Sequence, residues 1–114
     1  MQLKSVGEVI ATRTLFFASD KTRKVLVRMG KPQPLPDAVG ALGSDHYCPF
    51  QITGIGDEKV RYGAGVDAFQ SLELGLKMIG TSLAYLNREH NGELRWDGDE
   101  SGGLGFPFPE AFRE

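Results

Sequence analysis

The residues able to do chemistry in this sequence are few. Asp45, His46 and Cys48 fall within four positions. In an extended strand His46 and Cys48 share a face, with Cα atoms about 7 Å apart, a spacing open to a thiol–imidazole nucleophile. The thiol lacks what such a nucleophile needs: Cys48 precedes Pro49, opens no helix and has no cationic run nearby to lower its pKa. The same three residues offer metal donors. A structural zinc site takes four ligands, usually in paired short spacings, and the other histidine, His90, stands far along the chain. His46 therefore reads as a loop histidine and Cys48 as a small buried apolar residue, and no metal or other cofactor is expected.

A second candidate is the run "YGAGVDAFQSL", residues 62–72, whose Gly63, Gly65 and Ala68 fit the weaker form of the dinucleotide-binding fingerprint. That chemistry needs a buried parallel strand before the loop and an acid at the end of a second one. Here the preceding "KVRY" is half charged and the helix is followed by polar "REHNGELRW". Helix entry explains every residue instead. Asp67 is a good N-cap, Gln70 falls three residues on as in a capping box, and the two glycines permit a tight strand-to-helix turn. Asp97, Asp99 and Glu100 cluster near Trp96, but in a Gly-rich stretch without apolar context to raise a pKa, so a solvated turn is favoured over acid–base work. Arg13, Arg23, Lys24, Arg28, Lys59 and Arg61 could form a basic sheet face. No stacking aromatics are interleaved with them and the net charge is −2, so no nucleic-acid partner is expected.

The elements that must position these residues follow from periodicity. "EVIATRTLFFA", 8–18, and "RKVLVRMG", 23–30, read as a hairpin joined at residues 19–22, with Val25, Val27 and Met29 on one face and Lys24, Leu26 and Arg28 on the other. Residues 31–45, "KPQPLPDAVGALGSD", read as a long surface loop. "YCPFQITGIG" and "EKVRYGAG" form a second strand pair joined around residues 54–57. Phe69, Leu72, Leu76, Ile79, Leu83 and Leu86 then fall at alternating spacings of three and four, one stripe of a helix running from about Ala68 to Arg88, and Leu74, Met78 and Tyr85 widen that stripe. Gly75 and Gly80 inside it hint at close approach to a sheet, and Asn91 with Gly92 marks its stop. "ELRW", 93–96, is a short last strand, after which Phe106, Phe108 and Phe112 pin a turn-rich tail over the core. The order β-β-loop-β-β-α-β predicts an α+β fold, an antiparallel four- to five-stranded sheet with one long amphipathic helix on one face.

The 114 residues suit one domain, and 40% hydrophobic with 25% charged residues is ordinary for a globular chain. Charge is uneven: residues 1–62 hold nine Lys and Arg against six Asp and Glu, residues 63–114 four against nine, with Glu89, Glu93, Asp97, Asp99 and Glu100 as an acidic face. One cysteine excludes an intrachain disulfide. Glu8 and Arg13 break the N-terminal apolar stretch, and no apolar run nears the ~20 residues of a membrane span, so a cytoplasmic protein without membrane contact is expected.

The segments "DHYCPFQITGIG", "YGAGVDAFQSLELGLKMIG" and "LGFPFP" together resemble an uncharacterised bacterial family of small domains of unknown function. Its marks are a Cys-Pro-Phe-Gln-Ile strand, a Gly-Val-Asp-Ala-x-Gln helix start, an Ile-Gly within a long helix and a closing Gly-Phe-Pro. The resemblance covers about residues 31–109. Asp45, Cys48, Pro49, Phe50, Gln51, Asp67 and Gln70 match its motif positions, whereas His46 stands where the family often has tryptophan. It implies a fold and a bacterial origin, but no activity and no residue roles.

The resulting expectation is a non-enzymatic module that binds a protein partner, or a second copy of itself, through the loop at residues 31–47 and an adjacent sheet edge or face. The alternative is a small-molecule site or weak hydrolase near Cys48 and Asp67. Candidate interaction or pocket residues are Asp45, Tyr47, Cys48, Phe50, Gln51, Asp67, Gln70 and Trp96.

Overall fold

The computed structural model describes residues 1–36 and 45–107. Alternation of branched and polar residues builds the first hairpin, β1 (Val9–Phe17) and β2 (Asp20–Gly30), with cross-strand pairs such as Leu15 with Val25 and Arg13 with Val27. Its turn is Ala18 and Ser19, so Asp20, Lys21 and Thr22, expected in the loop, instead open β2. Two residues of the predicted long loop, Gln33–Pro34, form a short β3 against Tyr47 and His46, so His46 opens β4 (His46–Thr53) and is not a loop residue. Residues 37–44 of that loop lie outside the described residues.

β5 (Arg61–Gly65) leads into α1 (Ala68–Glu89), and β6 (Leu94–Arg95) pairs with Phe16 and Phe17. All pairings are antiparallel. Phe50 of β4 pairs with Met29 of β2 and Arg61 of β5, and His46 pairs with Pro34 of β3 and Gly65 of β5. A strand has two edges, so β2 and β3 share one edge of β4 and β5 takes the other. The sheet therefore reads β5-β4-β2-β1-β6 across, the expected α+β architecture with β3 as the addition.

Leu15, Phe17, Val25, Val27, Met29, Cys48, Phe50 and Ile52 form the buried face of the sheet, and Ile79 and Leu83 of α1 pack on it. The helix lies over β5 and β4, and glycines set how close it comes. A Cβ at Gly63 would stand 2.4 Å from the Gly75 nitrogen, and one at Gly65 would stand 2.7 Å from the Ser71 nitrogen. Neither glycine has positive φ. Their service is close approach of helix to strand, and not the tight turn expected of them. Gly80 serves likewise on the far flank, where the Pro107 carbonyl crosses the helix.

The helix begins and ends as its sequence predicts. Asp67 Oδ1 accepts from Gln70 N at 2.8 Å, and Gln70 Oε1 accepts from Val66 N at 2.7 Å, one residue earlier than in the usual capping box. Asn91 and Gly92, both with positive φ, turn the chain away. The predicted stripe fails at its first member. Phe69 is 87% exposed because the first turn of α1 meets β5 through Ser71, whose backbone lies against Gly65, and Phe69, two positions earlier, projects away from that contact. Leu74, Met78 and Tyr85 are exposed too, at 37%, 38% and 60%, since the buried line runs Ser71, Gly75, Ile79, Leu83.

The β1–β2 part of the buried face, left uncovered by α1, is closed by the segment after β6. Trp96, Leu104 and Phe106 pack against the core there. Arg13 holds them: its guanidinium lies 3.8 Å from the Trp96 ring centroid and 4.6 Å from that of Phe106, and its Nη1 donates to the Leu104 carbonyl at 3.0 Å. Phe108 and Phe112 lie outside the described residues.

Candidate functional site

Between α1 and the β4–β5 connection, beyond the contact of Gly56 with Leu86, lies a cleft of about 500 Å³. Phe50, Ile52, Ile55 and Leu86 give it an apolar floor. Asp57, Glu58, Lys59 and Arg61 form one wall, and Thr81, Ser82, Tyr85 and Glu89 of α1 form the other. An apolar concavity with a polar rim is the usual form of a binding site.

The connection that shapes it is held in place by its own polar groups. Positive φ at Gly54, Gly56 and Glu58 folds the backbone so that Ile55 turns inward and is buried. Glu58 Oε2 accepts from Gly54 N at 2.6 Å, and Gln51 Nε2 donates to the Glu58 carbonyl at 2.8 Å. Gln51 Oε1 in turn accepts from Arg28 Nη2 at 2.5 Å. Arg61 grips Asp57 with both terminal nitrogens, at 2.9 and 2.6 Å, and Lys59 N donates to the same carboxylate at 3.0 Å. These bonds, the Arg61 side chain first, hold the Asp57 carboxyl well below the usual carboxylate range. Asp57 and Glu58 are thereby committed to structure.

The eight residues singled out by sequence do not form one site. Phe50 lies in the cleft floor and Gln51 braces the cleft's outer wall from behind. Cys48 is completely buried, its Sγ donates to the Gly30 carbonyl at 3.5 Å, and burial pushes its thiol up to about 11. A Cys48 nucleophile is thus both out of reach and protonated at neutral pH. Asp67 and Gln70 are spent on the helix cap. Tyr47 packs edge-on against Tyr62 at 5.9 Å, the Asp45 carbonyl accepts from Leu35 N, and Trp96 stacks on Arg13. The cleft itself escaped sequence reasoning. Its signals were Ile55, an apolar residue between two loop glycines, and Asp57 with Arg61 at i, i+4.

Beside the cleft runs a second feature. Leu74, Met78 and Tyr85 form an apolar line down the flank of α1 that overlooks β5, and Tyr85 joins that line to the cleft. Among the described residues β5 pairs with β4 alone, so its outer edge is open along the foot of this flank. Among those residues there is also no group of three or more His, Cys, Asp or Glu placed to hold a metal ion, and no helix is long and apolar enough to cross a membrane.

No curated protein and no solved structure matches the chain. A family described as a domain of unknown function, DUF6968, matches residues 11–108, which extends the resemblance back through the β1–β2 hairpin. The match spans almost the whole chain, and the protein belongs to this DUF6968 family of domains of unknown function.

Proposed function

We propose that this protein is a non-enzymatic binding module whose partner is another protein, taken up on the face made by the flank of α1, the open edge of β5 and the cleft between them. The observation that carries the reading is the apolar line Leu74, Met78 and Tyr85, exposed beside a preformed cleft. Exposed apolar surface of this kind, rimmed by polar groups, marks interaction sites. The face differs from the loop expected to carry the interaction, and it holds neither cysteine nor histidine, which supports binding over hydrolysis.

The basic residues support a partner other than nucleic acid. Arg13 is folded onto Trp96, Arg23 lies over Phe17, Arg28 donates to Gln51 and Arg61 is paired with Asp57, so four of the six cations are engaged at separate places. A free buried thiol suits a reducing compartment, and we take the module to work in the cytoplasm of a bacterium.

A photoreactive amino acid placed at Met78 in the producing cells tests the reading, with the same group at Thr14 on the opposite face of the sheet as control. A defined protein cross-linked from position 78, absent from 14 and lost on Tyr85→Glu, is the expected result. Equal labelling from both positions would sink it. The second reading is a small molecule in the cleft, favoured by a volume within the usual ligand range. It differs in requiring Ile55 and Leu86 but not Met78.

A further inference from the structure

We infer that the partner docks as an extended segment added to the sheet at β5, with apolar side chains at alternate positions laid against Leu74, Met78 and Tyr85. This rests on the protein-binding reading above and names the shape and chemistry of what is bound.

Two unsatisfied features lie side by side. Among the described residues β5 ends the sheet, so alternate residues along it direct N–H and C=O groups to the open edge. The flank of α1 above that edge is apolar and exposed. A docked helix would cover the flank and leave the backbone groups unpaired, and a small apolar molecule would do the same. An extended segment answers both, because its main chain continues the ladder while every second side chain turns toward the helix. Among the described residues β1 also leaves an edge open beyond its two residues paired with β6, but the face beside it is taken by Trp96, Leu104 and Phe106, held by Arg13.

A second copy of this chain fits poorly. A Cβ at Gly63 would touch the Gly75 backbone, so the α1 main chain sits directly over β5. Pairing two β5 strands antiparallel would set two such helices side by side on one face of the joined sheet, crowded against each other and over the apolar flanks, where packed helices need roughly 8–10 Å. A bare segment brings no helix and meets no such clash.

The test uses a displayed library of random nine-residue peptides selected on the full-length protein. Apolar residues at every second position of the selected peptides are expected. Methylating the peptide amide nitrogens one at a time should weaken binding at least tenfold at alternate positions and little between them. Amide resonances of residues 61–65 should move on binding, and Met78→Lys, checked for native circular dichroism, should lose at least tenfold in affinity. Peptides with a three- and four-residue apolar period, or indifference to every N-methylation, would overturn strand addition. So would a dimer by light scattering whose β5 amides are already protected. A protein cross-linked from position 78 alongside any of those outcomes would leave the partner reading standing and remove only this one; if position 78 captures no protein, the partner reading is the one that fails.

Discussion

Replacing Gly63 with alanine places one methyl group between the sheet and the helix, and the result measures how far their contact depends on glycine. The new Cβ would lie 2.4 Å from the Gly75 nitrogen and 2.9 Å from the Gly75 Cα, about 1 Å inside ordinary contact. Gly63 has no positive φ, so backbone strain adds nothing and the effect is steric. Overpacking against movable side chains costs about 1–3 kcal/mol, and an obstruction that is itself backbone belongs at the upper end. Alanine recovers about 0.4–1 kcal/mol through a less flexible unfolded chain. The net expectation for Gly63→Ala is a loss of about 2 kcal/mol, read from urea denaturation with an unchanged slope, and a melting temperature lower by roughly 8 °C for a domain of this size. Gly102→Ala is the contrast: its Cβ meets nothing within 4 Å, so only its φ of +102° is at issue. A Gly63→Ala protein as stable as the parent, or more so, would refute the reasoning that α1 is seated directly on β5.

Asp67→Ala should cost about 1 kcal/mol as a lost N-cap, and Asp67→Asn should restore most of it, both read by denaturant titration. Arg13→Ala should cost about 2 kcal/mol and shift Trp96 fluorescence to the red as the segment carrying Leu104 and Phe106 loosens; an unshifted spectrum would contradict the clamp. Native Cys48 should react with a thiol reagent near pH 8 at least about 100-fold slower than in urea, because its thiol is pushed up to about 11 and lies buried. The lowered Asp57 carboxyl contributes stability above the ordinary carboxylate range that is lost as pH falls below it, so Asp57→Asn should flatten the acid side of the stability curve; an unchanged acid limb would contradict this.

Much of the scaffold could be read in the sequence because it rests on local repeats. Alternation in residues 23–30 placed Val25, Val27 and Met29 on the buried face, and the cap at Asp67 and the stop at Asn91 bounded α1 almost to the residue. Phe69 shows where periodicity stops: a three-and-four spacing marks a broad arc of the helix, and the line that meets the sheet, Ser71, Gly75, Ile79 and Leu83, runs along a part of the surface that Phe69 does not share. Leu74, Met78 and Tyr85 show the same on the flank. Gly63 and Gly65, read as turn glycines, carry information that exists only across the strand–helix contact, since their partners Gly75 and Ser71 come later in the chain. The cleft needs β4, the 54–60 connection and the last turns of α1 at once, and no single window of sequence holds all three. Chemistry-bearing residue types drew attention to Cys48 and Asp67, which packing and capping had already claimed.

The open edge of β5 and the apolar flank of α1 are proposed to act together as one docking face. Amide hydrogen exchange of residues 61–65, compared between the free protein and its complex with the partner cross-linked from position 78, asks this directly. Alternate amides of β5 should exchange rapidly when free and at least tenfold more slowly in the complex. Exchange along β5 that is the same in both states would contradict the account.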